Sequence, residues 1–128
     1  MESSPQSTIL MFGNDSGLAY LIGRYAQQSG YGITSLPVIP LAQEVVALKP
    51  VAILFTSIES LEAAQLLVTG LENRDIPVLV CSSVTDQARA RELGADHCLL
   101  HPLTYDGFHN VLAAIGMAGR TGRLQNSQ

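Results

Sequence analysis

Five apolar runs punctuate the chain, each followed by turn residues and then by a stretch whose apolar positions recur every three or four residues. Ser7 to Phe12 reads as a first buried strand, and Gly13-Asn14-Asp15-Ser16-Gly17 supplies the turn and an N-cap for a helix reaching about Ser29. Leu18, Leu21, Ile22 and Tyr25 hold helical spacing there, and Gly30 stops the helix. Tyr31 to Leu36 is a second strand. Pro37 and Pro40 bound the loop after it, and Leu41 to Leu48 forms a short helix before Lys49-Pro50. Val51 to Phe55 is strand three, followed by a helix beginning at Ser60 through Leu61, Ala64, Leu67 and Leu71. Ile76 to Cys81 gives strand four, opened by Pro77. Thr85-Asp86 caps a polar helix to Leu93, Gly94 ends it, His97 to Leu100 is strand five, and Thr104 caps a last helix through Phe108, Val111, Leu112 and Ile115.

The strands are continuously apolar rather than alternating, which predicts a parallel sheet covered on both faces with right-handed crossovers, a three-layer α/β/α domain. Residues 8–117 are expected to form that domain, with 1–7 a flexible N-terminus and 118–128 a flexible tail or truncated linker. At 128 residues, 47% apolar and 14% charged, the composition fits one self-folding domain and argues against disorder.

Seven Lys and Arg against eleven Asp and Glu leave a formal charge of -4, which disfavours direct nucleic-acid binding. No leader-like or spanning run is present, and the two cysteines, Cys81 and Cys98, fit a reducing compartment, so a cytoplasmic protein without membrane contact is expected. The cysteines lie on strands predicted to be neighbours, so either a redox pair or two core thiols would be compatible with the pattern. His97 and His109 read as surface residues rather than metal ligands.

In such a sheet the carboxyl ends of the strands line the ligand crevice. Here those positions carry Gly13, Asn14, Thr56, Ser82 and His101, with no carboxylate leaving strand three. The first turn lacks the Gly-x-Gly-x-x-Gly fingerprint and the Walker lysine. Asp15 can be read as an N-cap or as a lone ligand. His101, before Pro102, can be read as locally hydrogen-bonded or as a pH-sensing or anion-binding group.

Six segments in order, Ile9-Leu10-Met11-Phe12, Ser29-Gly30-Tyr31, Leu48-Lys49-Pro50, Ile76-Pro77-Val78-Leu79, Gly94-Ala95-Asp96 and His101-Pro102-Leu103, resemble the receiver domain of bacterial two-component response regulators over residues 8–116. The resemblance implies a flavodoxin-like sheet of order 2-1-3-4-5 and a cis His101-Pro102 bond. It also implies an acidic pair for magnesium, an acceptor aspartate, a hydroxyl and a lysine. These fall on Gly13-Asn14, Thr56, Ser82 and His101, so only the hydroxyl of Ser82 matches. Cys98 stands where the family often carries an aromatic switch residue, and a small thiol cannot make that swing.

Magnesium requires oxygen ligands that usually include carboxylates, and an acyl phosphate requires a carboxylate acceptor. The expectation is therefore a receiver-like, atypical domain without catalytic residue, metal or cofactor, acting in signalling by phosphorylation-independent protein contact. The resemblance implies docking or homodimer formation through the helix over 85–93, the strand over 97–100 and the last helix, at Arg89, Arg91, Glu92, Cys98, Tyr105 and Phe108. The alternatives are a sensor binding a small anion or metabolite in the crevice of Asn14, Thr56, Ser82 and His101, and a hydrolase centred on Ser82 and His101. The hydrolase needs those two side chains in hydrogen-bond reach.

Overall fold

A computed structural model describes residues 7–72 and 75–115. The expected N-terminal segment, apart from Ser7, and the expected tail lie outside these residues. Five parallel strands, β1 (Ser7–Phe12), β2 (Tyr31–Ser35), β3 (Ala52–Phe55), β4 (Val78–Ser82) and β5 (His97–Leu100), form one sheet in the order β2-β1-β3-β4-β5. The helices are α1 (Ser16–Gln28), α2 (Ala42–Leu48), α3 (Ile58–Ala63), α4 (Gln65–Gly70), α5 (Gln87–Glu92) and α6 over 105–115. Among the described residues no helix is long and apolar enough to cross a membrane.

Every residue of β3 and β4 is buried, as strands covered on both faces require. Alternate residues serve two core layers. Leu10, Phe12, Ile53, Phe55, Val78 and Val80 pack with Val45, Leu61, Leu67 and Val68 on one side of the sheet. Ile9, Met11, Leu54, Leu79, Cys81 and Leu99 pack with Leu18, Ile22, Ala26, Phe108 and Leu112 on the other. The same alternation decides the cysteines. Cys81 belongs to the α1 and α6 layer, whereas Cys98, registered opposite Val80, packs against the other. Both thiols are free, and neighbouring strands do not make them neighbouring side chains.

Beyond shifts of one residue at several element ends, the structure departs from the sequence expectation in ways that named hydrogen bonds explain. The helix expected to begin at Ser60 starts at Ile58, because the Ser57 side chain caps it by accepting from the Ser60 amide at 3.1 Å. That helix is also interrupted at Ala64 (φ -109°, ψ 27°). Gln65 Nε2 occupies the break, donating to the Leu61 carbonyl at 3.1 Å and to the Leu93 carbonyl at the end of α5 at 2.9 Å. β4 begins at Val78 rather than Ile76: its amide donates to Asp96 Oδ2 at 2.8 Å, and the Asp96 amide returns a bond to the Val78 carbonyl at 2.7 Å. On α1, Leu18, Ile22 and Ala26 are the buried stripe, and Leu21 lies at its exposed margin.

Candidate functional site at the carboxyl edge of the sheet

β1 and β3 run side by side with Phe12 opposite Phe55, so the next residues, Gly13 and Thr56, meet at the sheet's carboxyl edge. The Thr56 amide donates to the Phe12 carbonyl at 3.0 Å, which holds the two strand ends together. Gly13 adopts φ +133°, a conformation that L side chains rarely take. A Cβ at this position would lie 1.8 Å from Thr56 Oγ1 and 3.2 Å from Ser60 Oγ. The threonine hydroxyl therefore fills the volume that a side chain at 13 would need. Thr56 is buried as a result, while Asn14 is exposed beside it.

Asp15 caps α1, accepting from the Leu18 amide at 3.0 Å. Of the two readings of Asp15, the N-cap is the one its geometry realises. Ser82 ends β4, 3% exposed, and its Oγ has no hydrogen-bond partner. The His101 amide donates to the Ser82 carbonyl at 3.1 Å, its side chain is exposed, and the His101-Pro102 bond is cis. Ser82 Oγ thus makes no bond to the imidazole, and a hydrolytic centre on this pair lacks its base.

The edge does not fit a magnesium ion. Gly13 has no ligand atom, Asn14 offers only an amide, the Thr56 hydroxyl is lodged over Gly13, and the Asp15 carboxylate is engaged by its helix. Among the described residues no three His, Cys, Asp or Glu side chains converge as a metal cage would. What does gather here is a set of hydroxyls. Ser57 and Ser60 Oγ lie 3.0 Å apart, and Ser83 Oγ lies 2.9 Å from Thr85 Oγ1 and 3.1 Å from Asp86 Oδ2. Ser60 was not singled out from the chain, although its position four residues after Thr56, in the first turn of α3, was the available signal.

The residues expected to share one docking face differ in exposure. Phe108 is wholly buried in the α1 and α6 core layer, so it is not a contact residue. Tyr105 leans on α1, its ring edge-to-face with Tyr25 at 5.8 Å and stacked on His109 at 5.5 Å. His109 in turn places Nδ1 3.2 Å from Ser29 Oγ at the end of α1, a tie between helices rather than a simple surface position. Arg89 pairs with Glu62 on α3, and Cys98 is half-buried. Arg91 and Glu92 are exposed, and the exposed apolar residues Val84 and Leu100, not expected from the sequence, lie at the carboxyl ends of β4 and β5.

No protein-family model matches the sequence, and no curated protein matches it closely enough to count as a relative. Solved structures do match. The receiver domain of the sensor histidine kinase PA1611 from Pseudomonas aeruginosa, with a magnesium ion in its active-site cleft, superposes with a TM-score of 0.67 at 18% identity, over 88% of this chain and 99% of that one. A CheY-like response regulator receiver domain protein from Methanospirillum hungatei gives 0.60 at 16% identity over 91% and 99%. The chemotaxis response regulator CheY4 of Vibrio cholerae gives 0.61 at 14% over 87% and 99%. The chain has the receiver fold of two-component response regulators. The match spans 99% of each of these solved chains, so the likeness concerns a whole domain, and the sheet order β2-β1-β3-β4-β5 is that of the receiver fold.

Proposed function

We propose that this receiver-fold domain works in signal transduction by binding a partner protein, without accepting a phosphoryl group. One observation carries the reading: Thr56 stands at the end of β3 and closes its hydroxyl over Gly13 at the end of β1. The acceptor and metal positions both lack a carboxylate, and the residue present at each disfavours a carboxylate's chemistry at the other. An aspartate at 13 has no room while Thr56 is present, and a carboxylate at 56 alone would find no metal partner. Phosphoryl transfer relies on positioned cations to neutralise developing charge, and this edge supplies none. The domain is proposed to be non-enzymatic for the same reason, reinforced by the partnerless hydroxyl of Ser82.

The docking face we favour runs along α5 and the edge strand β5, with Arg91 and Glu92 at the carboxyl end of α5 and Val84 and Leu100 at the opposite, carboxyl end of the strands as its accessible residues. Arginine is enriched among the anchors of such contacts, and the exposed Val84 and Leu100 add apolar area to bury beside it. The decisive experiment is incubation with acetyl phosphate and magnesium followed by intact-mass measurement. An unchanged mass is expected; a phosphorylated, hydroxylamine-sensitive species would overturn the reading.

A further inference from the structure

A second surface lies on the β2 side of the same sheet end. Residues 37–41 are Pro-Val-Ile-Pro-Leu, and Val38, Ile39 and Leu41 are 74%, 38% and 63% exposed. Loops are ordinarily polar, so three apolar side chains presented to solvent within four residues call for an occupant. Both ends of this loop are pinned. The Leu36 amide donates to the Met11 carbonyl at 3.0 Å and its side chain packs into the core, while the Leu41 amide donates to Glu44 Oε1 at 3.0 Å. Two prolines restrict the backbone between them. The apolar side chains are therefore displayed by a restrained segment and need little ordering on binding.

The charge around the loop selects the partner. Each strand is followed by an exposed acid at or near the start of the next helix: Asp15, Glu44, Glu59, Asp86 and Asp106. Residues 13–17, 36–44, 56–60, 83–87 and 101–106 contain no Lys or Arg. Glu44 lies against the apolar segment, its Oε1 accepting the Leu41 amide, and Asp15 and Glu59 follow the next two strands of the sheet, β1 and β3. An anionic ligand would be repelled here. A second copy docking face to face would oppose the same acids, which is costly at an interface.

We propose that residues 37–41, with the first turns of α2 and α3, form a docking surface for a cationic segment of a partner protein that carries apolar anchors. Val38, Ile39 and Leu41 take the anchors, and Glu44 and Glu59 face its lysines or arginines. This surface is separate from the face over α5 and β5, and it stands or falls independently of it.

The test uses the full chain, isotopically labelled, titrated with a short Leu/Lys amphipathic peptide and with Leu/Glu and Ser/Lys counterparts. Amide shifts are expected to gather at residues 36–44 and 58–60 with the Leu/Lys peptide alone, and to weaken as salt is raised. Val38→Ser and Leu41→Ser, both at exposed positions, should each weaken binding by about fivefold or more, the loss typical of an anchor residue. Shifts centred elsewhere, equal binding of the Leu/Glu peptide, or unchanged affinity in both variants would overturn the proposal. A concentration-dependent dimer lost in Leu41→Ser would overturn it in favour of a second copy as the occupant.

Discussion

At the scale of single residues, the pairing of Gly13 with Thr56 is the clearest case of two positions constraining each other. Replacing Gly13 by Ala forces a Cβ into the Thr56 hydroxyl and places an L residue at φ +133°. Overpacking and a disfavoured backbone region together should cost about 2–4 kcal/mol by urea unfolding. Combining Gly13→Ala with Thr56→Ala should recover part of that loss, because the clash goes while the backbone strain stays; strict additivity in the double-mutant cycle would refute the contact. Cys81 offers a second residue-level test. Burial first, then the charges of Asp15 and, across the sheet, of Cys98 push its thiol up from 9.0 to about 12. The folded state thus holds this proton above the pH at which the unfolded chain releases it. The associated stability is complete below the unfolded value and falls as pH rises from about 9 toward 12, by up to about 1.4 kcal/mol per pH unit. A Cys81→Val variant should show a flatter stability curve in that window, measured against the parent by denaturant titration at each pH.

At the scale of elements, five strands, the cap at Asp15 and the stops at Gly30 and Gly94 were legible, because each rests on a local signal: an apolar run, a side-chain acceptor, a residue able to take positive φ. The break between α3 and α4 was not legible. Apolar positions at Leu61, Ala64, Leu67 and Leu71 keep helical spacing straight through it, and the cause is a long-range bond from Gln65 to Leu93 that no periodicity reveals. Gln65 joins the break to the end of α5, adding a second bond to the Leu61 carbonyl, which also accepts the Ala64 amide, and one to the Leu93 carbonyl. Gln65→Leu should therefore destabilise the fold by about 0.5–1.5 kcal/mol, the net worth of a part-buried hydrogen bond, with an unchanged denaturant m-value. A variant as stable as the parent would mean that water replaces the amide without loss.

At the scale of the whole molecule, the strand ends that form the crevice were legible as a set, because a parallel sheet brings them to one edge whatever the helices do. The docking residues were less legible. Phe108 and Tyr105 look alike along a helix, and which one sinks into the core depends on how α6 rotates against α1, a property of packing rather than of local sequence. The assembled edge also bears on the competing idea that a small anion is the input. Thr56 closes over Gly13, Ser82 is buried, and the residues exposed at this edge include the acids Asp15, Glu59, Asp86 and Asp106, with the His101 side chain exposed after β5. A ligand that binds only the folded state raises its stability by RT ln(1 + [L]/Kd), so the question has a thermal readout. Inorganic phosphate at a few millimolar should leave the unfolding temperature where chloride of equal ionic strength leaves it, at pH 7 and equally at pH 5.5. A saturable rise confined to the lower pH and lost in His101→Gln would reinstate the anion, because general salt effects neither saturate at such concentrations nor depend on one imidazole.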